Sequence, residues 1–142
     1  MFGPAGRLYA YRSYGIHTCV NVVCGESGAA SAVLLRAGEP LAGLARMREL
    51  RGLAKDVKEG LIARGPGRLA AALGLELVDD GRSLLQGALT LHARESSEPP
   101  PRVLRGPRVG ITKATDLADR FFEAESRWVS DFRTGKARKA RR

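Results

Sequence analysis

The sequence predicts an α+β fold built on an antiparallel sheet, and three observations carry that prediction. Two β-type runs, Leu8 to Ser13 and His17 to Val23, flank the turn-forming stretch Tyr14-Gly15-Ile16. A Leu/Met series at three-residue spacing follows near position 44, and an Ala/Leu run lies between a Gly-Pro-Gly and a Gly. Hydrophobic residues make up 44% and charged residues 27% of 142, enough for one domain with its own core.

The elements follow in order. Leu8–Ser13 alternates, with Tyr9 and Tyr11 on one face. Gly15 can take the positive φ that a tight turn needs. His17–Val23 is rich in β-branched residues. A turn centred near Gly15 sets Tyr9 across from Asn21 and Tyr11 across from Cys19. Residues 24–28, CGESG, read as a loop, and Ser31 to Ala37 as a third strand. Glu39-Pro40 opens a helix whose apolar stripe is Leu41, Leu44, Met47 and Leu50. Lys55 to Leu61 continues as a short helical piece. Pro66 suits the first position of a helix through Leu69–Leu73, which Gly74 ends. Asp79-Asp80-Gly81 is a turn, Ala88 to Ala93 a strand, Glu95 to Pro101 a loop and Arg108 to Ile111 a short strand. Phe121, Phe122 and Trp128 are expected to pack on the core. A strand pair this apolar, so near Met1, needs its open edge covered. Either the sheet is completed elsewhere in the chain or further residues stand in front of Met1.

Composition excludes several classes. No apolar run approaches the ~20 residues of a membrane span, and MFGPAGRLYAYR lacks the pattern of a signal peptide. A soluble, cytoplasmic protein with no membrane association is the expectation. Cys19 and Cys24, five apart in a strand-like run, read as free thiols, and neither His17 nor His92 has ligand spacing, so no metal is expected. The net charge of +9 favours polyanionic partners. Six of those charges sit in residues 133–142, RTGKARKARR, which contain no acid, and +3 is left for the rest. That tail reads as disordered, and two roles stand open for it: salt-dependent DNA affinity, or solubility.

Candidate functional residues centre on the hairpin. All three tyrosines of the chain, Tyr9, Tyr11 and Tyr14, fall within six residues. A Tyr on a turn can enter a DNA groove in place of an extruded nucleotide, and a second can stack on the flipped base. The same tyrosines could equally pack the sheet, and spacing does not choose between these readings. Arg36 has two readings as well: a surface salt bridge, or an active-site cation.

The ordered set LYxYxxYG, VLLRAxEP, GPxxL, RVGI and WVS resembles the alkyladenine (3-methyladenine) DNA glycosylase family. The matching residues include Met1-Phe2, Pro4, Gly6 to Tyr11, Tyr14-Gly15, Cys19, Asn21, Val33 to Ala37, Glu39-Pro40, Met47-Arg48, Gly65-Pro66, Leu69, Ala72-Leu73, Arg108 to Gly110 and Trp128 to Ser130. They run from Met1 to about Phe132. The resemblance implies base-excision repair by hydrolysis of the N-glycosidic bond of alkylated purines. The enzyme would be a monofunctional, cofactor-free monomer acting on double-stranded DNA, nucleoid-associated if bacterial.

By the same resemblance Tyr11 stacks on the flipped base and Tyr14 intercalates at the hairpin tip. Asn21 crowds the exocyclic amine of guanine, and Leu34 lines the pocket. Ile111 places its backbone near the base, and Met1 belongs to the DNA-contacting surface. Arg36 positions the attacking water. The Gly65-Pro66 turn either offers amides to a phosphate or is a plain helix start. The sheet is expected to be curved, with a protruding hairpin and flanking helices. Residues 1–132 would form the C-terminal two-thirds of one glycosylase domain and 133–142 the tail.

One departure matters. The family's catalytic Glu belongs to a TEAY-like motif preceding the position of Met1, and neither Glu26 nor Glu39 matches it. The fold is therefore expected to be N-terminally incomplete, and the chain alone inactive. General-base help is typically worth about 10²–10⁴-fold. Two origins stand open: a start codon assigned too far downstream, which upstream in-frame DNA encoding a TEAYxG-like stretch would show, or a truncated remnant that binds DNA without cutting it.

Overall fold

The computed structural model describes residues 1–95, 97, 99–111 and 116–130. Three antiparallel strands, β1 (Leu8–Ser13), β2 (His17–Val23) and β3 (Ala32–Leu34), form one sheet in that order. Two helices follow, α1 (Leu44–Leu50) and α2 (Pro66–Ala72), with short 3₁₀ turns at Glu59–Leu61 and Leu77–Asp79. A second sheet of two antiparallel strands, β4 (Val103–Gly106) and β5 (Arg120–Glu123), completes an α+β architecture.

The β1–β2 hairpin has the expected bounds and register, with Tyr9 opposite Asn21 and Tyr11 opposite Cys19. Its alternate face, bearing Leu8, Ala10 and Val20, is buried against Ala70 of α2 together with Leu75 and Leu84. A second cluster joins Ile62, Ala63, Leu69 and Ala72, with Leu44 and Met47 of α1 packed on it. Leu35 touches both clusters and ties the sheet to the helices. Pro66 stands in the first turn of α2, and Gly74, at φ +66°, follows the C-terminal Leu73 as the expected stop.

The free edge of β1 is partly closed from within the chain. Leu8 N–H donates to the Arg82 carbonyl, Gly81 N–H to the Leu8 carbonyl, and Ala10 N–H to Asp80 Oδ1, each at 2.9 Å. The turn at Asp79–Gly81 is thus both present and structural. Asp79 is buried, accepts from Glu76 N–H at 2.8 Å and from the Arg82 guanidinium at 2.5 Å. These bonds, the backbone one foremost, hold its carboxyl below the ordinary value.

Several expected elements differ. The third strand ends at Leu34 instead of Ala37, because the Arg36 carbonyl accepts from Gly65 N–H at 2.8 Å and Ala37 pairs with Arg64. The chain leaves β2 there to join the segment entering α2. Helix α1 begins at Leu44, after Gly43 at φ +71°, and Leu41 is 92% exposed outside it. The left-handed backbone at Gly43 cannot continue a right-handed helix, which delays the start to Leu44. The piece at Lys55–Leu61 shortens to the turn at Glu59–Leu61.

Ala88–Ala93 is not a strand; Leu91 N–H reaches the Leu84 carbonyl, but its side chain is 55% exposed, with no sheet to pack on. Arg108–Ile111 is irregular too, and the strands of that region are β4 and β5. Trp128 is buried as expected and Phe122 half-buried. Phe121 corrects the expectation: it is 61% exposed and lies under the Arg105 guanidinium at 5.0 Å. The tail at 133–142 and part of the loop at Glu95–Pro101 lie outside the described residues.

Candidate nucleic-acid interface

The register of the sheet sorts its side chains into two faces. Leu8, Ala10 and Val20 turn to the core. The opposite face must then carry Tyr9, Tyr11, Cys19 and Asn21, with Leu34 added by its pairing to Asn21. Arg36 lies two residues beyond Leu34, where the strand has ended. Its guanidinium is close enough to Tyr11 and Cys19 to act on them electrostatically. Four of the expected residues, Tyr11, Asn21, Leu34 and Arg36, are therefore brought to one face.

Each has a defined environment. The Tyr9 and Tyr11 rings are stacked, with centroids 5.8 Å apart and planes at 14°. Burial pushes the Tyr11 phenol up, and the hydrogen-bonded Cys19 thiol adds to the shift. Asn21 is 7% exposed, and its Nδ2 donates to the Tyr9 carbonyl at 3.2 Å. Arg36 is half-buried; burial first, then the neighbouring Arg120 guanidinium, lower its value. Among the described residues, no Asp or Glu is among the groups acting on Tyr11 or Arg36.

Tyr14 stands apart at the hairpin tip. Its φ is +51°, uncommon for a residue with a Cβ, and Gly15 follows at φ +72°. Ile16 N–H closes the turn on the Ser13 carbonyl at 3.2 Å. Tyr14 is 83% and Ile16 70% exposed, so the tip is an apolar point held in water. The sheet-packing reading fails for Tyr14, which has almost no protein around it.

The remaining expected residues are placed more loosely. Met1 is 42% exposed, and the next residue, Phe2, is fixed to the loop by Gly28 N–H at 2.8 Å. Ile111 is half-buried at the end of a described stretch. Among the described residues neither makes a hydrogen bond to Tyr11, Asn21 or Arg36. Gly65 and Pro66 begin α2, but Gly65 N–H is engaged by Arg36 and Pro66 has no N–H. First-turn donors toward an anion are then Gly67 and Arg68. Gly67 is the residue that lets His17 approach, since a Cβ there would stand 3.0 Å from His17 Cβ.

Tyr9, expected on the same face as Tyr11, backs that ring. One residue was not foreseen. Arg120 is 7% exposed, lies 4.6 Å over the Phe122 ring and donates to the Ser130 carbonyl at 2.6 Å. An arginine 84 positions beyond Arg36 carries no local signal of its proximity.

Among the described residues there is no group of three or more His, Cys, Asp or Glu able to hold a metal. No described helix is long and apolar enough to cross a membrane.

Comparison with known proteins adds the family. A family model described as methylpurine-DNA glycosylase matches residues 1–127. A protein of Rhodopseudomonas palustris named "Putative 3-methyladenine DNA glycosylase" is 52% identical over 130 residues, 92% of this chain and 60% of its own length. Proteins of the same name from Methanoculleus marisnigri and Mycobacterium sp. are 48% identical over 132 residues and 46% over 133. These cover 92% and 94% of this chain, and 67% and 63% of their own lengths. The chain thus spans about 60% of the length of the first of these relatives.

Proposed function

The chain belongs to the methylpurine-DNA glycosylase family, and from that premise we propose that it serves base-excision repair, flipping an alkylated purine of the 3-methyladenine type out of duplex DNA for hydrolysis of its N-glycosidic bond. The observation that carries this reading is the hairpin itself. One strand pair presents an 83%-exposed Tyr14 at its tip and a polar, aromatic face behind it.

Each part has a task. Tyr14, with Ile16 beside it, enters the stack and fills the gap left by the extruded nucleotide. The flipped base stacks on the ring of Tyr11, which Tyr9 backs at 5.8 Å. Asn21, held by the Tyr9 carbonyl, offers its remaining polar edge to the base and disfavours the exocyclic amine of guanine. Leu34 lines the pocket beside it, and Ile111 and Met1 belong to the surrounding surface. Gly65-Pro66 serves as the start of α2, with Gly65 N–H held by the Arg36 carbonyl. Arg36 orients the attacking water.

Alkylation that leaves a purine cationic makes it a good leaving group, so binding and exposure already supply part of the reaction. Activation of the water is assigned to a carboxylate, and no residue of these 142 is assigned that role. One observation favours a second reading: among the described residues no Asp or Glu shifts the titration of Tyr11 or Arg36. On that reading these residues bind and expose the base without cutting it.

One paired measurement decides. Wild-type protein is mixed with methylated duplex; anisotropy follows binding and chromatography follows free 3-methyladenine. Binding with release supports the glycosylase reading for this chain alone, and binding without release supports the second. Failure to prefer damaged over intact duplex contradicts both.

A further inference from the structure

A second feature lies next to the base-facing surface. A cavity of about 440 Å³ opens between the approach to α2 and the β5 region, within the size range of ligand sites. Arg64, Arg120 and Arg127 line it, with Glu123 and Glu125. Two of these charges are already matched: Arg127 pairs with Glu59 at 3.4 Å, and Glu125 approaches Arg102 at 4.0 Å. Arg64 and Arg120 form no ion pair among the described residues. Arg120 is buried and spends one nitrogen on the Ser130 carbonyl. Arg64 donates to the Arg127 carbonyl, while its Nε is buried without a hydrogen-bond partner.

Arg120 is buried and Arg64 half-buried with one occluded, unpartnered donor; two like charges facing one cavity are unfavourable unless an anion joins them. The planar N–H fork of arginine matches the paired oxygens of a phosphate. Backbone continuity says where that phosphate comes from. Arg64 pairs with Ala37, and Gly65 N–H donates to the Arg36 carbonyl at 2.8 Å, so the cavity adjoins the segment carrying Arg36. A flipped nucleotide stays covalently attached, so its flanking phosphates must pass close to the base face.

We propose that Arg64 and Arg120 form a phosphodiester-binding site for the strand that carries the flipped nucleotide. This rests on the reading of the chain as a base-flipping protein. The site clamps the backbone beside the extruded base, while the hairpin holds the duplex open on the other side.

The test uses the full 142-residue chain and a duplex with one tetrahydrofuran abasic analogue. Affinity is measured across a sodium chloride series for wild type, Arg64→Ala and Arg64→Lys, after circular dichroism confirms that each is folded. Arg64 is the position to vary because Arg120 is buried. Arg64→Ala should weaken binding about tenfold and reduce the slope of log affinity against log salt by about 1. Arg64→Lys, which keeps the charge, should restore most of the slope.

A scan of single methylphosphonate linkages should find one position that weakens wild type but has no further effect on Arg64→Ala. An unchanged slope in Arg64→Ala overturns the site. So does an Arg64 Nε resonance that shifts with inorganic phosphate while the methylphosphonate scan remains indifferent to Arg64, since the anion would then be free phosphate. A wild-type chain that binds no duplex overturns instead the reading of function on which the site depends.

Discussion

The Asn21 side chain donates to the carbonyl of Tyr9, its cross-strand partner, at 3.2 Å. This bond fixes which edge of the amide faces the chain and leaves the other for a ligand. It also explains how a polar residue sits at 7% exposure within a β-sheet. Discrimination between purines is then a property of one held amide. Asn21→Ala should raise affinity for a duplex with an unpaired guanine relative to one with an unpaired adenine, by about tenfold. It should cost about 1 kcal/mol of stability. Competition binding with the two duplexes checks the first expectation and denaturant unfolding the second. An unchanged ratio would remove Asn21 from the specificity account.

Arg36 is placed against its own electrostatic interest. Burial and the like charge of Arg120 both lower its value, so the folded protein disfavours its cation. The role proposed for Arg36, on the water beside the base, gives a reason to hold it there. Arg36→Gln should therefore leave stability unchanged or raise it by about 0.5–2 kcal/mol, while reducing the preference for damaged duplex. Calorimetry and competition binding together check this. A clear loss of stability in the variant would show that Arg36 is structural.

Asp79 anchors the turn that closes the edge of β1, through Glu76 and Arg82. Its carboxyl is depressed in the folded protein. The contribution is therefore present above the ordinary Asp value of about 3.9 and is lost as pH falls through the lower folded value. The difference in melting temperature between wild type and Asp79→Asn should be constant from neutral pH down to about 5 and shrink below about 4. A difference that persists unaltered into strong acid would contradict that role.

Legibility in the sequence followed how local the cause was. The hairpin was readable to its register because alternation, β-branched residues and Gly15 all lie within sixteen positions of one another. Helix α2 was readable from Pro66 and Gly74. The end of β3 was not, because Arg64 and Gly65 compete for Arg36 and Ala37 from 27 or more positions away. Neither β4 nor β5 announced itself, since RFFE and VLRG are short and carry arginines whose guanidinium groups cover aromatic rings. In the candidate site the tyrosines and Asn21 were readable as a patterned face. Arg120 was not, since only folding brings it near Arg36.

The wedge role proposed for Tyr14 can be read in a single comparison. Tyr14→Ala and wild type are compared for melting temperature and for 2-aminopurine fluorescence next to a lesion, which reports unstacking of the duplex. At 83% exposure Tyr14 has little to lose on truncation. As a wedge, Tyr14 should change stability by no more than about 0.5 kcal/mol on truncation, with loss of most of the fluorescence rise. A stability loss of about 3 kcal/mol, or a fluorescence rise equal to that of wild type, would contradict it.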